Sequence, residues 1–135
     1  MRYMLLVYSK EGLGELGSEE DVRIRNAHGA LIREATEKGI LIGAEPLAPT
    51  STATTIRMQD GKMLITDGPF AETKEQLAGY YILDCENLED AMEWAARIPT
   101  GCCGGEGCIE IRPMRRMPQN ASPEGNGTSA LLRNG

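Results

Sequence analysis

Two stretches of helical period, each set between short extended apolar runs, restrict this chain to a small number of folds. Residues 1–8 are apolar and β-compatible and read as a buried first strand, after which residues 11–15 form a loop. Ser18, followed by Glu19, Glu20 and Asp21, is a capping-box pattern that places negative charge at a helix N-terminus. The helix runs to about Lys38, where Gly39 ends it. Ile24, Ala27, His28, Leu31 and Ala35 fall in a sector about 100° wide, a core-facing stripe with His28 in its middle. Asn87 caps a second helix that carries Glu89 and Asp90 in its first turn and is closed by Pro99. Its inward stripe is Leu88, Ala91, Met92, Ala95 and Ile98, with Trp94 at the border.

The segments between the helices read as strands. Residues 40–42 lead into a stretch containing Pro46 and Pro49, which suits a short, irregular edge strand because proline donates nothing to a ladder. Residues 53–58 and 62–66 form a hairpin through Gln59-Asp60-Gly61, since Asp-Gly supplies the positive φ angles of a tight turn. Asp67-Gly68-Pro69-Phe70 stops that hairpin, residues 71–77 connect, residues 79–84 resume extended structure, and residues 108–114 alternate as a last strand. The order β-α-β-(β-hairpin)-β-α-β implies an α+β sandwich. It has a mostly antiparallel sheet and both helices on one face, as in ferredoxin-like folds. The other sheet face needs a partner.

Residues 1–116 make up this domain, and residues 117–135, rich in Pro, Asn, Gly and Ser without apolar period, read as a polar tail. With 41% hydrophobic and 25% charged residues, the chain has the balance of a globular protein. Its 14 Lys plus Arg against 20 Asp plus Glu, a net charge of -6, argue against nucleic-acid binding. The apolar run from Met4 to Tyr8 is far shorter than a signal core or the ~20 residues of a membrane span, so a cytoplasmic location and no membrane partner are expected. Cys102, Cys103 and Cys108 crowd together without the C-x2-C spacing of metal loops, so reduced thiols and no structural metal are expected. The glycine-rich stretch 101–107 lacks the Lys-Ser/Thr ending of a phosphate loop. Asn120 and Asn126 match glycosylation sequons, which carry no meaning without a secretory signal.

His28 is the one histidine of the chain. On an apolar helical face its ring nitrogens must be satisfied or open onto a cavity, so it is either an acid–base group or a helix-border residue bonded to a carbonyl. The word Thr66-Asp67-Gly68-Pro69-Phe70-Ala71-Glu72-Thr73-Lys74-Glu75, with Arg2-Tyr3-Met4-Leu5-Leu6, Gly79-Tyr80-Tyr81 and Glu110-Ile111-Arg112-Pro113, resembles the YCII-related superfamily in its DGPF branch. The resemblance spans about residues 1–115. It implies a ferredoxin-like domain that pairs sheet to sheet as a dimeric α/β barrel, and a site joining His28 to Asp67. It also implies enzymes acting on small organic molecules, lyase- or hydrolase-like, or regulatory modules linked to extracytoplasmic-function sigma factors.

A carboxylate beside His28 would fix its tautomer and raise its pKa, making Asp67 the orienter of a general acid or base; Asp67 serves equally as a turn residue before Gly-Pro. No cofactor is needed for such chemistry. Phe70 anchors its loop in the core or touches ligand, and Glu72 and Lys74 rim the pocket or cap the next turn. Tyr80 and Tyr81 point to opposite faces of a regular strand, one to core or interface and the other to the pocket. Arg112 binds a substrate carboxylate or makes a surface ion pair. A homodimer with a small-molecule substrate is the expectation, against a non-catalytic ligand-binding module on the same fold.

Overall fold

The computed structural model describes residues 1–11, 17–100 and 107–116. The loop at 12–16, the glycine-rich stretch at 101–106 with Cys102 and Cys103, and the segment 117–135 with its two sequons lie outside the described residues. The elements follow the order β1 (Arg2–Ser9), α1 (Glu19–Glu37), β2 (Leu41–Pro46), β3 (Thr54–Gln59), β4 (Lys62–Asp67), β5 (Gln76–Asp84), α2 (Leu88–Arg97) and β6 (Gly107–Pro113). The helices start where their caps put them: Ser18 Oγ accepts from the Asp21 amide at 3.1 Å, and Asn87 Oδ1 from the Asp90 amide at 2.8 Å. Gly39, at φ 73°, lies just beyond the end of α1 in the left-handed conformation that suits a residue without Cβ.

Four strands form one sheet in the order β2-β5-β1-β6, every neighbouring pair antiparallel. β1 and β2 are each antiparallel to β5, which lies between them. Each helix therefore connects two parallel strands across a third, the ferredoxin-like arrangement. β2 is an edge strand, and its ladder shifts register between Leu41 and Gly43. β3 and β4 form a separate two-stranded ribbon, paired from Thr54↔Asp67 to Gln59↔Lys62 and turned through Asp60 and Gly61 at positive φ.

Alternation along the central strands decides the core. Tyr3, Leu5 and Val7 of β1 and Tyr81 and Leu83 of β5 face the helices and are buried with Leu31 and Ala35 of α1 and Ala91, Trp94 and Ile98 around α2. Leu5 is fully buried, and a side chain of that size contributes roughly 1.5–3 kcal/mol by leaving water. The opposite face, with Met4, Leu6, Tyr80 and Ile82, carries no helix. Cys85 is buried, which together with the Asp90 carboxylate pushes its thiol up to about 11, so it stays protonated and inert at neutral pH.

The structure turns α2 relative to the stripe expected from hydrophobicity. Leu88 and Met92 face solvent, while Trp94, expected at the border, is only 7% exposed. Trp94 belongs to the same buried cluster as Leu31, Ala35, Tyr81 and Leu83. The Arg97 guanidinium lies 4.9 Å from the indole ring and the Lys38 ammonium 5.4 Å from it, so the ring is covered by cations whose charged ends stay in water. Arg97 also donates to both oxygens of Glu34 at 2.6 and 3.0 Å, clasping α2 to α1. Arg97, and after it Lys38, hold the Glu34 carboxyl down at about 2.

Candidate active site

The N-terminal half of α1 stands over the edge of the sheet where β1 ends, β5 begins and β2 closes. Between them is a cavity of about 500 Å³, within the usual range of small-molecule pockets. Val7, Ile24, Ile32 and Ala44 supply apolar wall; Lys10, Asp21, Arg25, His28, Glu45 and Tyr81 bring the charged and hydrogen-bonding groups. β5 can approach the end of β2 this closely because residue 79 is glycine: a Cβ there would sit 2.8 Å from the Glu45 carbonyl oxygen and 3.2 Å from Pro46 Cα.

His28 reaches this cavity from α1, and its Nδ1 lies 2.5 Å from the Tyr81 hydroxyl. Tyr81 is on the helix-facing side of β5 because it pairs with Leu5, the most deeply buried residue of β1. The two rings lie 20° from parallel with centroids 5.9 Å apart. Burial lowers the pKa of His28 below its ordinary value and pushes the Tyr81 phenol up to about 12. At neutral pH the pair is therefore a neutral imidazole beside a protonated phenol. When Nδ1–H donates to the phenol oxygen, Nε2 carries a lone pair and can take a proton; when the phenol donates to Nδ1, Nε2 carries the proton and can give it.

Asp67 lies elsewhere in the chain. It closes β4 opposite Thr54, exposed, on the ribbon face shared with Ile65 and Met63. Among the described residues no hydrogen bond or ion pair joins it to His28, whose partner is Tyr81. Phe70, expected in the core or at a ligand, is 77% exposed and lines neither. Glu72 and Lys74 are exposed and outside the cavity lining. Arg112 pairs with Glu110 on β6, an exposed ion pair away from the cavity. Tyr80 and Tyr81 both border the cavity, and only Tyr81 is buried on the helix side.

Sequence reasoning passed over Lys10, Asp21, Arg25 and Glu45. Part of the signal was present: Asp21, Arg25 and His28 recur at i, i+4 and i+7, the spacing of one helical face. Asp21 holds Arg25 at 3.2 Å and accepts from the Gly17 amide at 2.9 Å, fixing the first turn of the helix at the mouth of the cavity. Lys10 and Glu45 come from the ends of two strands that only the sheet brings together. Among the described residues no cluster of His, Cys, Asp and Glu could hold a metal ion, and no helix is long and apolar enough to cross a membrane.

Comparison with known proteins places the chain in a family. An uncharacterised protein of Rhizobium meliloti (strain 1021) is 38% identical over 115 residues, which cover 84% of this chain and 92% of that protein. The model of the YCII-related domain matches residues 1–118, spanning both helices, the four-stranded sheet and the ribbon. The chain thus belongs to the YCII-related family.

Proposed function

We propose that the chain is a small enzyme that moves a proton to or from a small organic molecule held between α1 and the sheet, with Nε2 of His28 as the general base or acid. One observation carries this reading: the only histidine of the chain lines a cavity of about 500 Å³ with its other nitrogen 2.5 Å from a phenol. Tyr81 is a positioning residue, fixing the ring and exchanging tautomers with it. A lowered imidazole pKa suits a base that must be unprotonated at neutral pH. The lining supports a substrate with an apolar body and an anionic or carbonyl group, which Lys10, free of any ion pair among the described residues, is placed to receive. No side-chain nucleophile is required: in an elimination His28 takes the substrate's proton, and in a hydrolysis it takes a proton from the attacking water.

A screen of small carboxylic acids and ketones, read by NMR on the His28 imidazole, tests the proposal. Ligands of the cavity should shift the His28 resonances and leave the Trp94 indole, which lies outside its lining, unmoved. At least one should be converted. Ligands that perturb His28 without conversion would make the cavity the binding site of a non-catalytic module.

A further inference from the structure

The cavity lining holds two cations in a chain whose net charge is -6. Lys10 follows the last residue of β1, and Arg25 stands on α1 three residues before His28, on the same helical face. Asp21 decides which part of Arg25 is free. Its carboxylate, 19% exposed, accepts from the Gly17 amide at 2.9 Å and pairs with Nε of Arg25 at 3.2 Å. The guanidinium is thus tethered by its inner nitrogen. Nη1 and Nη2, which carry its remaining donors, have no partner among the described residues.

Glu45 adds no second carboxylate on this side. It pairs with Tyr80, one step along from the Ala44↔Tyr81 pair that faces the helices, so strand alternation sends its side chain to the opposite face. Lys10 and Arg25 against Asp21 leave the cavity side one positive charge in excess.

We propose that this excess charge selects the substrate: the cavity takes a small monocarboxylate, held by the Nη edge of Arg25 and the ammonium of Lys10, with its apolar body on Ile24, Ile32 and Ala44. The inference rests on the reading of the cavity as a substrate site, and it makes Arg25 the residue that sets specificity. The planar fork of a guanidinium matches a carboxylate in two parallel hydrogen bonds, whereas an amide or ketone offers it only an uncharged acceptor. A single excess charge suits a monoanion, and a phosphate dianion would keep one charge uncompensated. Residues three apart on a helix have Cβ atoms about 5–6 Å from each other, so Arg25 and His28 suit a molecule whose carboxylate and labile proton are a few bonds apart.

Matched probes test it: phenylacetate against phenylacetamide, and hexanoate against hexanamide, titrated into the full chain near neutral pH and followed by the His28 ring resonances. Each carboxylate should bind at least about 10-fold more tightly than its amide. Arg25→Gln should remove most of that preference, weakening the carboxylate about 10-fold and leaving the amide unchanged. The fold should survive, because the Arg25 side chain is 65% exposed. Arg25→Lys, which keeps the charge without the fork, should recover only part of the affinity. Lys10→Gln should weaken the carboxylate by a smaller factor. Arg33→Gln removes the same charge from an exposed position of α1 outside the lining and should change nothing. Equal affinity for acid and amide, a preference that survives Arg25→Gln, an equal loss in Arg33→Gln, or tighter binding of phenyl phosphate than of phenylacetate would each overturn the inference and leave the cavity a binding site. Acids and amides that all fail to move His28 would overturn the reading of the cavity itself, and this inference with it.

Discussion

His28→Ala should lower turnover of the cavity's substrate by about 10²–10⁴-fold, the usual contribution of a positioned acid or base. The loss should fall on the rate and not on the fold, because the imidazole is only partly buried and lies outside the core cluster. The pH dependence fixes the role. Burial lowers the pKa of His28, so the neutral form predominates at pH 7 and a base mechanism gives a rate that is flat through neutrality. Activity should decline only as the pH falls through that lowered value, below the ordinary histidine value of about 6.5. Tyr81→Phe keeps the ring in the core and removes the hydroxyl at Nδ1. It should reduce the rate less than His28→Ala does and displace the acid limb of the profile, which a purely structural tyrosine would not. Steady-state rates across pH for the three proteins check this.

Gly79→Ala should destabilise the protein by about 1–3 kcal/mol and abolish ligand binding together. The added Cβ would lie 2.8 Å from the Glu45 carbonyl oxygen, a distance only a backbone shift can relieve. The strand that must move is β2, whose Ala44, Glu45 and Pro46 form one wall of the cavity. A melting temperature lower by roughly 5–15 °C is expected. Gly29→Ala is the matched control. Gly29 also lines the cavity, but a Cβ there meets nothing within 4 Å, and alanine in place of glycine inside a helix gains up to about 1 kcal/mol. Thermal unfolding of the two variants should therefore shift in opposite directions.

What could be read from the sequence was what local chemistry determines. Ser18, Asn87 and Asp60-Gly61 act within a few residues of themselves, and the helices and ribbon begin and turn where those residues put them. The alternation of the β strands likewise placed Tyr80 and Tyr81 on opposite faces. Deciding which of them faces the helices needed the pairing of Tyr81 with Leu5, a non-local fact. The rotation of α2 escaped for a similar reason: Trp94 joins a core cluster with Leu31, Ala35, Tyr81 and Leu83 of other elements, while Lys38 and Arg97, from two different helices' ends, lie over its ring. Phe70 shows the limit of hydrophobicity as a guide to burial within one chain. It is the only phenylalanine and is 77% exposed, just beyond the β3–β4 ribbon, whose Ile56, Met58, Met63 and Ile65 the chain itself leaves exposed.

The candidate site divides in the same way. His28 was legible because a polar group in the middle of an apolar stripe is costly unless it has a use or a partner. Its partner was not legible. A rare sequence word directed attention to Asp67, but sequence spacing says nothing of distance across a sheet, and within the chain the group at Nδ1 is a phenol.

The central claim is that His28 is a half-buried, neutral imidazole held by Tyr81, and its single NMR signal through a pH titration tests that most directly. In the wild type the pKa should lie below about 6.5. Tyr81→Phe should change the tautomer-sensitive shift of Nδ1, and Asp67→Asn should leave the titration unaltered. A pKa above that ordinary value that falls in Asp67→Asn and ignores Tyr81→Phe would contradict the account and make Asp67 the group that governs His28.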